Sequence, residues 1–379
     1  MTVVAPGSTI GIIGGGQLGR MLAVEARLMG YGVVVLDPEP GSPCSHVADE
    51  QIVSSFDDVQ AALMLAEKSD VVTYEFENVD YRLVEAIEKK GGRVYPGSRA
   101  LKVSQNRFLE KGFIRGIGIG VADYERIDGA YDLEAAKKKI GLPAVLKTVS
   151  SGYDGKGQAV LTRDEDVLRS FDLMRGRALL WERYVPVWKE ISVVCARDAR
   201  GNISIYPVSE NIHLENILHM SIVPARIPEE TEERGREIAE TIALELGITG
   251  VLCVEMFLTE DGGVLVNEIA PRPHNSGHYT MDACVTSQFE QQLRAVCGLP
   301  LGSSRLTSRA VMVNILGEGK GIRLTGVEDL LLDPMIRLHL YGKREAKAKR
   351  KMGHFTVLGD DIEDCISRAE AAGRRLGWA

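Results

Sequence analysis

Between residues 9 and 95, apolar runs of strand length alternate with helix-like runs. No other feature of the chain restricts its fold as much. "TIGIIG" and "YGVVVLD" flank residues 17–29, where Leu18, Met21, Leu22 and Leu28 recur at helical spacing. "DVVTYEF" at 70–76 is a further strand, followed by a helix at 80–90 and a short strand at "RVYPG". Strands separated by helices pair in parallel through right-handed crossovers, so this region predicts an α/β, Rossmann-like domain. Ligands of such sheets sit at the carboxyl ends of the strands, where "GGGQLG", "LDPEP" and "EFENVD" fall.

The first of these turns fits a dinucleotide fingerprint. Gly14, Gly16 and Gly19 make G-x-G-x-x-G, and Asp37 stands about where an acidic ribose ligand would. One reading is therefore an NAD(P)-dependent oxidoreductase. Against it, no second mononucleotide-binding half follows.

From about residue 121 the pattern changes. "PAVLKTV", "QAVLT" and "ALLWERYV" are short strands around helices at 132–140 and 164–175, a small α+β module. After 189 the strands become antiparallel. "EISVVCARDARGNISIYPVSENIH" is a hairpin with Arg200, Gly201 and Asn202 near its turn. A helix over 229–246 starts after Pro228 and stops at Gly247. "GVLCVEMFLTEDGGVLVNEIA" turns at Asp261, Gly262 and Gly263. The tail mixes strands with a helix at 361–375. The expected division is 1–100, 101–188 and 189–379.

Bulk properties exclude several classes. A net charge of −8 argues against a general nucleic-acid binder. No apolar run approaches the ~18 residues needed to cross a membrane. The N-terminus lacks a secretory signal pattern. The six cysteines are scattered without C-x-x-C, which suits reduced thiols in a cytoplasmic protein rather than a zinc or disulfide framework.

The chemistry concentrates in the middle of the chain. "SSGYDGKGQ", residues 150–158, lies between two strands rather than between a strand and a helix, unlike a Walker-type loop. It is either an anion nest for phosphate oxygens or a flexible hairpin turn. Lys147 precedes it on an apolar strand, where its charge needs an anion or must snorkel out. "WERYVPVWKE" is either a linker or an adenine edge, with Glu182–Val185 offering backbone groups and Glu190 a ribose acceptor. Glu255 and Glu268 occupy the two arms of one hairpin, so both carboxylates can share a face. With phosphate oxygens and waters they supply what Mg²⁺ requires. "APRPHNSGHYT" follows, with Arg272, His274, Asn275, Ser276 and His278 on a proline-stiffened loop. "YGKREAKAKRKMGHF" then packs Lys343, Arg344, Lys347, Lys349, Arg350 and Lys351 against one acid, Glu345. That excess is either a phosphate site or a solvated basic face.

"SSGYDGKGQ", "WERYV", "VEMF", "VNEIAPRPHNSGH" and "YGKREAKAKRKMGH" together resemble the ATP-grasp ligases, and more narrowly the ATP-dependent carboxylases of aminoimidazole ribonucleotide in purine biosynthesis. The resemblance covers nearly the whole chain. It implies an N-terminal pre-ATP-grasp domain, an α+β lid and a C-terminal ATP-grasp domain. It implies ATP contacts from Arg107, Lys147, Gly152, Tyr153, Asp154, Gly155, Lys156, Gly157, Gln158, Glu182, Arg183, Tyr184, Val185, Glu190, His213, Asn267 and Glu268. Lys111 competes with Arg107 for the first assignment. Mg²⁺ or Mn²⁺ would sit on Glu255 and Glu268. The ribonucleotide would meet Gln17, Leu18, Glu75 or Glu77, Tyr153, Lys343, Arg350 and Lys351. Arg272, His274 and Asn275 would hold bicarbonate and its phosphorylated form, with Asp154 and Lys147 also catalytic. A homodimer is implied, with neither nucleic acid nor membrane as partner. The alternative inside the superfamily is a formate-dependent glycinamide ribonucleotide transformylase.

Overall fold

The structure is a computed structural model and describes residues 2–150 and 157–379. Strands β1 (Thr9–Ile13), β2 (Gly32–Leu36), β3 (Glu50–Ile52) and β4 (Val71–Tyr74) form a parallel sheet in the order β3-β2-β1-β4. The helix Gln17–Leu28 follows β1 and buries Leu18, Met21 and Leu22, the stripe its spacing predicts. The "RVYPG" segment is not a strand. Only Val94 bridges Val72, because Pro96 follows at once and cannot donate to a ladder.

The lid is a four-stranded antiparallel sheet of β5 (Tyr124–Ile127), β6 (Ala144–Thr148), β7 (Gln158–Leu161) and β8 (Leu179–Arg183), in the order β5-β8-β6-β7. Its core gathers Leu133, Leu146, Leu161, Val167 and Trp181. The third body is a nine-stranded sheet. It contains β9 (Val187–Arg197), β10 (Ile203–Ile205), β11 (Ser209–Leu214), β12 (Ile217–Val223), β13 (Gly250–Thr259), β14 (Val264–Ala270) and β15 (Arg309–Leu316). A two-residue strand β16 (Leu324–Thr325) lies apart from it, and β17 (Ile336–Leu340) and β18 (Lys351–Gly359) complete it. The terminal β19 (Gly377–Trp378) pairs with β16.

Two packing contacts fix where these bodies meet. The helix Gln288–Val296 lays Phe289, Leu293 and Val296 against Leu18 and Leu22 of the first helix. That contact joins the parallel-sheet domain to the large sheet. The helix Glu229–Leu246 covers the large sheet with Ile238, Ile242 and Leu246 against Ile191, Val193 and Leu252. It ends at Gly247 with φ 66°, a left-handed cap that glycine adopts without a Cβ penalty. Among the described residues no helix is long and apolar enough to cross a membrane.

Candidate active site

The turn after β13 sets the site. It returns β14 in a register that places Glu268 directly opposite Glu255. Opposed residues of an antiparallel pair share a face, so the two carboxylates converge. Glu255 also pairs with Ser192 of β9, well inside the sheet. The register slips between Glu255 and Met256, whose partners are Glu268 and Val266, and this leaves Asn267 as an extra residue. In a regular strand Asn267 and Glu268 would face opposite ways. With the bulge, both line one cleft of about 780 Å³. Asn267 Oδ1 is buried without a hydrogen-bond partner among the described residues. Burial, then the facing Glu268 charge, pushes the Glu255 carboxyl well up.

Cations face this acid pair. Asn106 caps the helix Arg107–Gly116, its Oδ1 accepting from Phe108 N at 3.0 Å and Leu109 N at 3.1 Å. The cap puts Arg107 in the first turn, where Nη1 reaches Glu268 Oε2 at 3.2 Å. One turn on, Lys111 is fully buried and lies outside the cleft wall, with Nζ 2.9 Å from Glu182 Oε2. Lys147 of β6 meets the other Glu182 oxygen at 2.8 Å. Burial raises the Glu182 carboxyl, but the two ammonium groups more than offset it and hold it at about 2. One carboxylate cannot neutralise two lysines. The deficit falls on Lys147, where burial with nearby Lys111 and Arg107 outweighs Glu182 and lowers its pKa. Around Glu182, cations thus outnumber the acid that answers them, and an anion would fit there.

Gln158, Arg183, Tyr184, Val185 and Glu190 line the same cleft, as does His213, whose Nδ1 lies 3.0 Å from Glu190 Oε2. Burial lowers the His213 imidazole, but the Glu190 carboxylate raises it by more. Gly157 lies beside Thr148 rather than in the wall. Gly152, Tyr153, Asp154, Gly155 and Lys156 lie outside the described residues.

Beyond β14, Arg272 makes a fork on Glu77, Nε to Oε2 at 2.5 Å and Nη2 to Oε1 at 2.9 Å. The contact spans 195 residues and ties the end of the parallel sheet to the end of β14. Burial raises the Glu77 carboxyl, but Arg272 overrides it and holds it below the usual range. His274 packs between Ser276 Oγ, 2.8 Å from Nδ1, and Glu255 Oε1, 3.4 Å from Nε2. Burial and then Arg272 drive its pKa well down, so the ring is neutral. Asn275 exchanges amide hydrogen bonds with Asn314 at 3.0 and 2.8 Å.

The opposite wall is the glycine turn, with Gln17, Leu18, Glu75 and Glu77 exposed to the cleft. Its amides are already taken. Gly16 N and Gly19 N donate to the two oxygens of Glu75 at 2.7 Å each, and Gly15 N donates to Asp37 at 2.7 Å. A Cβ on Gly16 would stand 2.6 Å from Glu75 Oε1, and one on Gly19 would stand 2.2 Å from Gly14 O. The glycines therefore admit an internal carboxylate to the helix N-terminus, where a dinucleotide would place its pyrophosphate. Asp37 is spent on the turn, and the oxidoreductase reading fails on this geometry.

In the basic segment, Lys351 enters the cleft wall, whereas Lys343 and Arg350 do not. Lys343 Nζ donates to Lys351 O at 2.6 Å, and the Arg350 carbonyl accepts from Gly317 N at 2.8 Å.

Comparison with known proteins matches this architecture piece by piece. A model of the ribonucleotide synthetase preATP-grasp domain matches residues 7–105, one of the ATP-grasp domain 112–289, and one of the phosphoribosylaminoimidazole carboxylase C-terminal domain 310–368. The N5-carboxyaminoimidazole ribonucleotide synthase of Bacillus subtilis (strain 168) is 47% identical over 364 residues, covering 96% of this chain and 95% of that protein. The chain belongs to this synthase family of ATP-grasp ligases. An ADP complex of an N5-carboxyaminoimidazole ribonucleotide synthetase superposes with a TM-score of 0.92 at 49% identity, covering 98% of each chain. The Aspergillus clavatus synthase, solved with ADP and 5-aminoimidazole ribonucleotide, gives 0.90 at 30% identity, covering 96% of this chain and 97% of that one.

In this member of the synthase family, Glu110 and Asn314 are among the polar residues of the cleft region that sequence reasoning missed. Glu110 is buried, lines the cleft and accepts from Ile269 N at 2.7 Å. Burial, then Glu268, pushes it up to about 8. Its signal was available: it sits three residues after Arg107, on the same helix face. Asn314 left none, since a lone Asn in the apolar run "AVMVNIL" shows its partner only in three dimensions.

Proposed function

We infer that this chain uses ATP and bicarbonate to carboxylate the exocyclic amine of 5-aminoimidazole ribonucleotide, forming N5-carboxyaminoimidazole ribonucleotide in purine biosynthesis. The observation that carries the reading is the convergence of Glu255 and Glu268 in one cleft with Arg107 and Lys147 on one side and Gln17 and Leu18 on the other. ATP lies against Arg107, Lys147, Gln158, Glu182–Val185, Glu190, His213 and Asn267. The ribonucleotide lies against Gln17, Leu18, the Glu75–Glu77 strand end and Lys351, with Lys343 and Arg350 behind it.

The donor set suits a hard divalent cation. Two carboxylates face each other, and beside them Asn267 Oδ1 has no hydrogen-bond partner among the described residues. Glu255, Glu268 and Asn267 would hold Mg²⁺ or Mn²⁺, which when bound neutralises phosphoryl charge. Lys147 and Arg107 add positive charge around the transferred phosphoryl group, in a reaction where positioning and neutralisation do most of the work. A bicarbonate oxygen attacks the γ-phosphorus, ADP leaves, and carboxyphosphate results. Arg272, held rigid by Glu77, presents its charge to that anion. Neutral His274 serves as a hydrogen-bonding neighbour rather than a second charge. The amine then forms the new C–N bond, either at the carboxyphosphate carbon as phosphate departs or at CO₂ already released from it, and gives up a proton, with Asp154 orienting the amine or taking that proton. The 101–188 module acts as lid between the 1–100 and 189–379 regions, and the working unit is a homodimer, as the resemblance implies.

The test is ADP release across ribonucleotide amines. Aminoimidazole ribonucleotide should stimulate release only with bicarbonate. Equal release with glycinamide ribonucleotide and formate would reassign the chain to the transformylase branch.

A further inference from the structure

A second group of ligand-type side chains gathers away from the cleft wall. His339 and His354 are directly opposite partners in β17 and β18, so both rings leave the same face of the sheet. Their centroids are 4.7 Å apart at an interplanar angle of 20°. Asp282 arrives from the short helix Thr280–Ala283, with Oδ2 2.9 Å from His339 Nε2. One ligand atom from each of the three lies within 4.8 Å of the other two.

His354 supplies a second observation. It is fully buried, and its Nδ1 engages the Tyr341 hydroxyl at 2.8 Å. Its Nε2 has no hydrogen-bond partner among the described residues. A buried ring nitrogen left unmatched is costly. The His278 ring lies against it, tilted by 32° with centroids 4.8 Å apart.

We propose that Asp282, His339 and His354 form a binding site for a divalent transition cation of the Zn²⁺ type, separate from the Glu255–Glu268 pair. Two imidazoles, one carboxylate and a water make a four-coordinate set that Zn²⁺, Co²⁺ and Ni²⁺ favour over Mg²⁺. The Asp282–His339 separation already resembles the roughly 3.3 Å between neighbouring ligands that bonds of about 2.0–2.2 Å impose on a tetrahedron. The cation takes the place of the proton between His339 Nε2 and Asp282, and that proton leaves to solvent. The side chains of His339 and Asp282, 28% and 11% exposed, give it an entry path. Tyr341 holds His354 from behind through Nδ1, the usual arrangement for a ligating histidine. Lys351 opens the strand that carries His354, so the bound cation would also brace the basic edge of the cleft.

Co²⁺ is the probe, titrated into the full chain in excess Mg²⁺ and read by its visible ligand-field absorption. About one Co²⁺ per chain should give the band, and Zn²⁺ should displace it. His339→Ala and Asp282→Asn should each abolish it with circular dichroism unchanged, and Glu268→Gln should keep it. If His339→Ala fails to fold, Asp282→Asn decides alone. No band in the unaltered chain, a band that survives Asp282→Asn, or a band lost in Glu268→Gln would overturn the proposal.

Discussion

The glycine turn and the β13–β14 hairpin each gather carboxylates beside the cleft, but the first buries Glu75 and Asp37 whereas the second leaves Glu255 and Glu268 half-buried, and the two answer that charge differently. Glu75 spends both oxygens on the amides of Gly16 and Gly19, and Asp37 spends one on Gly15. Their charge is answered by backbone at a helix N-terminus. Glu255 and Glu268 face each other, answered on one side by Arg107 and His274 and otherwise open to the cleft. The first arrangement is complete within the chain, and the second requires a ligand. A glycine fingerprint therefore reports where backbone can approach an anion, without saying whether that anion is a ligand or a side chain of the protein itself.

The comparison breaks most directly at Glu268. Glu268→Gln keeps the volume and removes the charge. ATP turnover should fall by roughly 10³-fold, the scale of losing a principal electrostatic group, while the melting temperature holds or rises as the facing acids cease to repel. Turnover within a few-fold of the unaltered chain in Mg²⁺ buffer would mean the hairpin acids are as structural as Glu75.

Arg272 sharpens the contrast, because it belongs to both regions. Arg272→Gln leaves the half-buried Glu77 without its partner, which should cost about 1–3 kcal/mol of stability by denaturant titration. It should also lower turnover about 10²-fold. Adding Glu77→Gln removes the orphaned charge, so the double variant should regain most of the stability and none of the turnover. Recovery of both would show that Arg272 only braces the fold.

Much of this was legible in the sequence, for reasons that differ by region. The Asp261-Gly262-Gly263 turn was enough to put Glu255 and Glu268 on the two arms of one hairpin. Regular alternation from that turn would set Asn267 opposite Glu255, and the bulge that brings Glu268 there instead was not legible, because no residue type marks it. The β1 and β2 strands showed as apolar runs, whereas β5, "YERI", mixes charge with apolar residues and was missed. Lys147 announced itself as a cation in an apolar strand. That it shares Glu182 with Lys111 depends on the β5–β8 sheet meeting the helix Arg107–Gly116, which no local pattern encodes. The Arg272–Glu77 fork, across 195 positions, lay further still from anything a window of residues can show.

The subtlest difference between the two regions is in pH. Burial raises the Glu75 carboxyl from 4.5 to about 7, with the two glycine amides offsetting only part of it. The folded state then holds a proton that the unfolded chain has released, so stability falls as pH rises through that window. The penalty is absent below 4.5 and fully present above about 7. Glu75→Gln cannot titrate, but its amide must present a donor to one of two glycine N–H groups, which costs stability at every pH. The informative quantity is therefore the slope. Subtracting the variant's melting temperature from that of the unaltered chain should give a difference that declines between pH 4.5 and 7 and is level on either side. A level difference throughout would mean that the amides of Gly16 and Gly19 hold Glu75 ionised in the folded chain as readily as water does in the unfolded one.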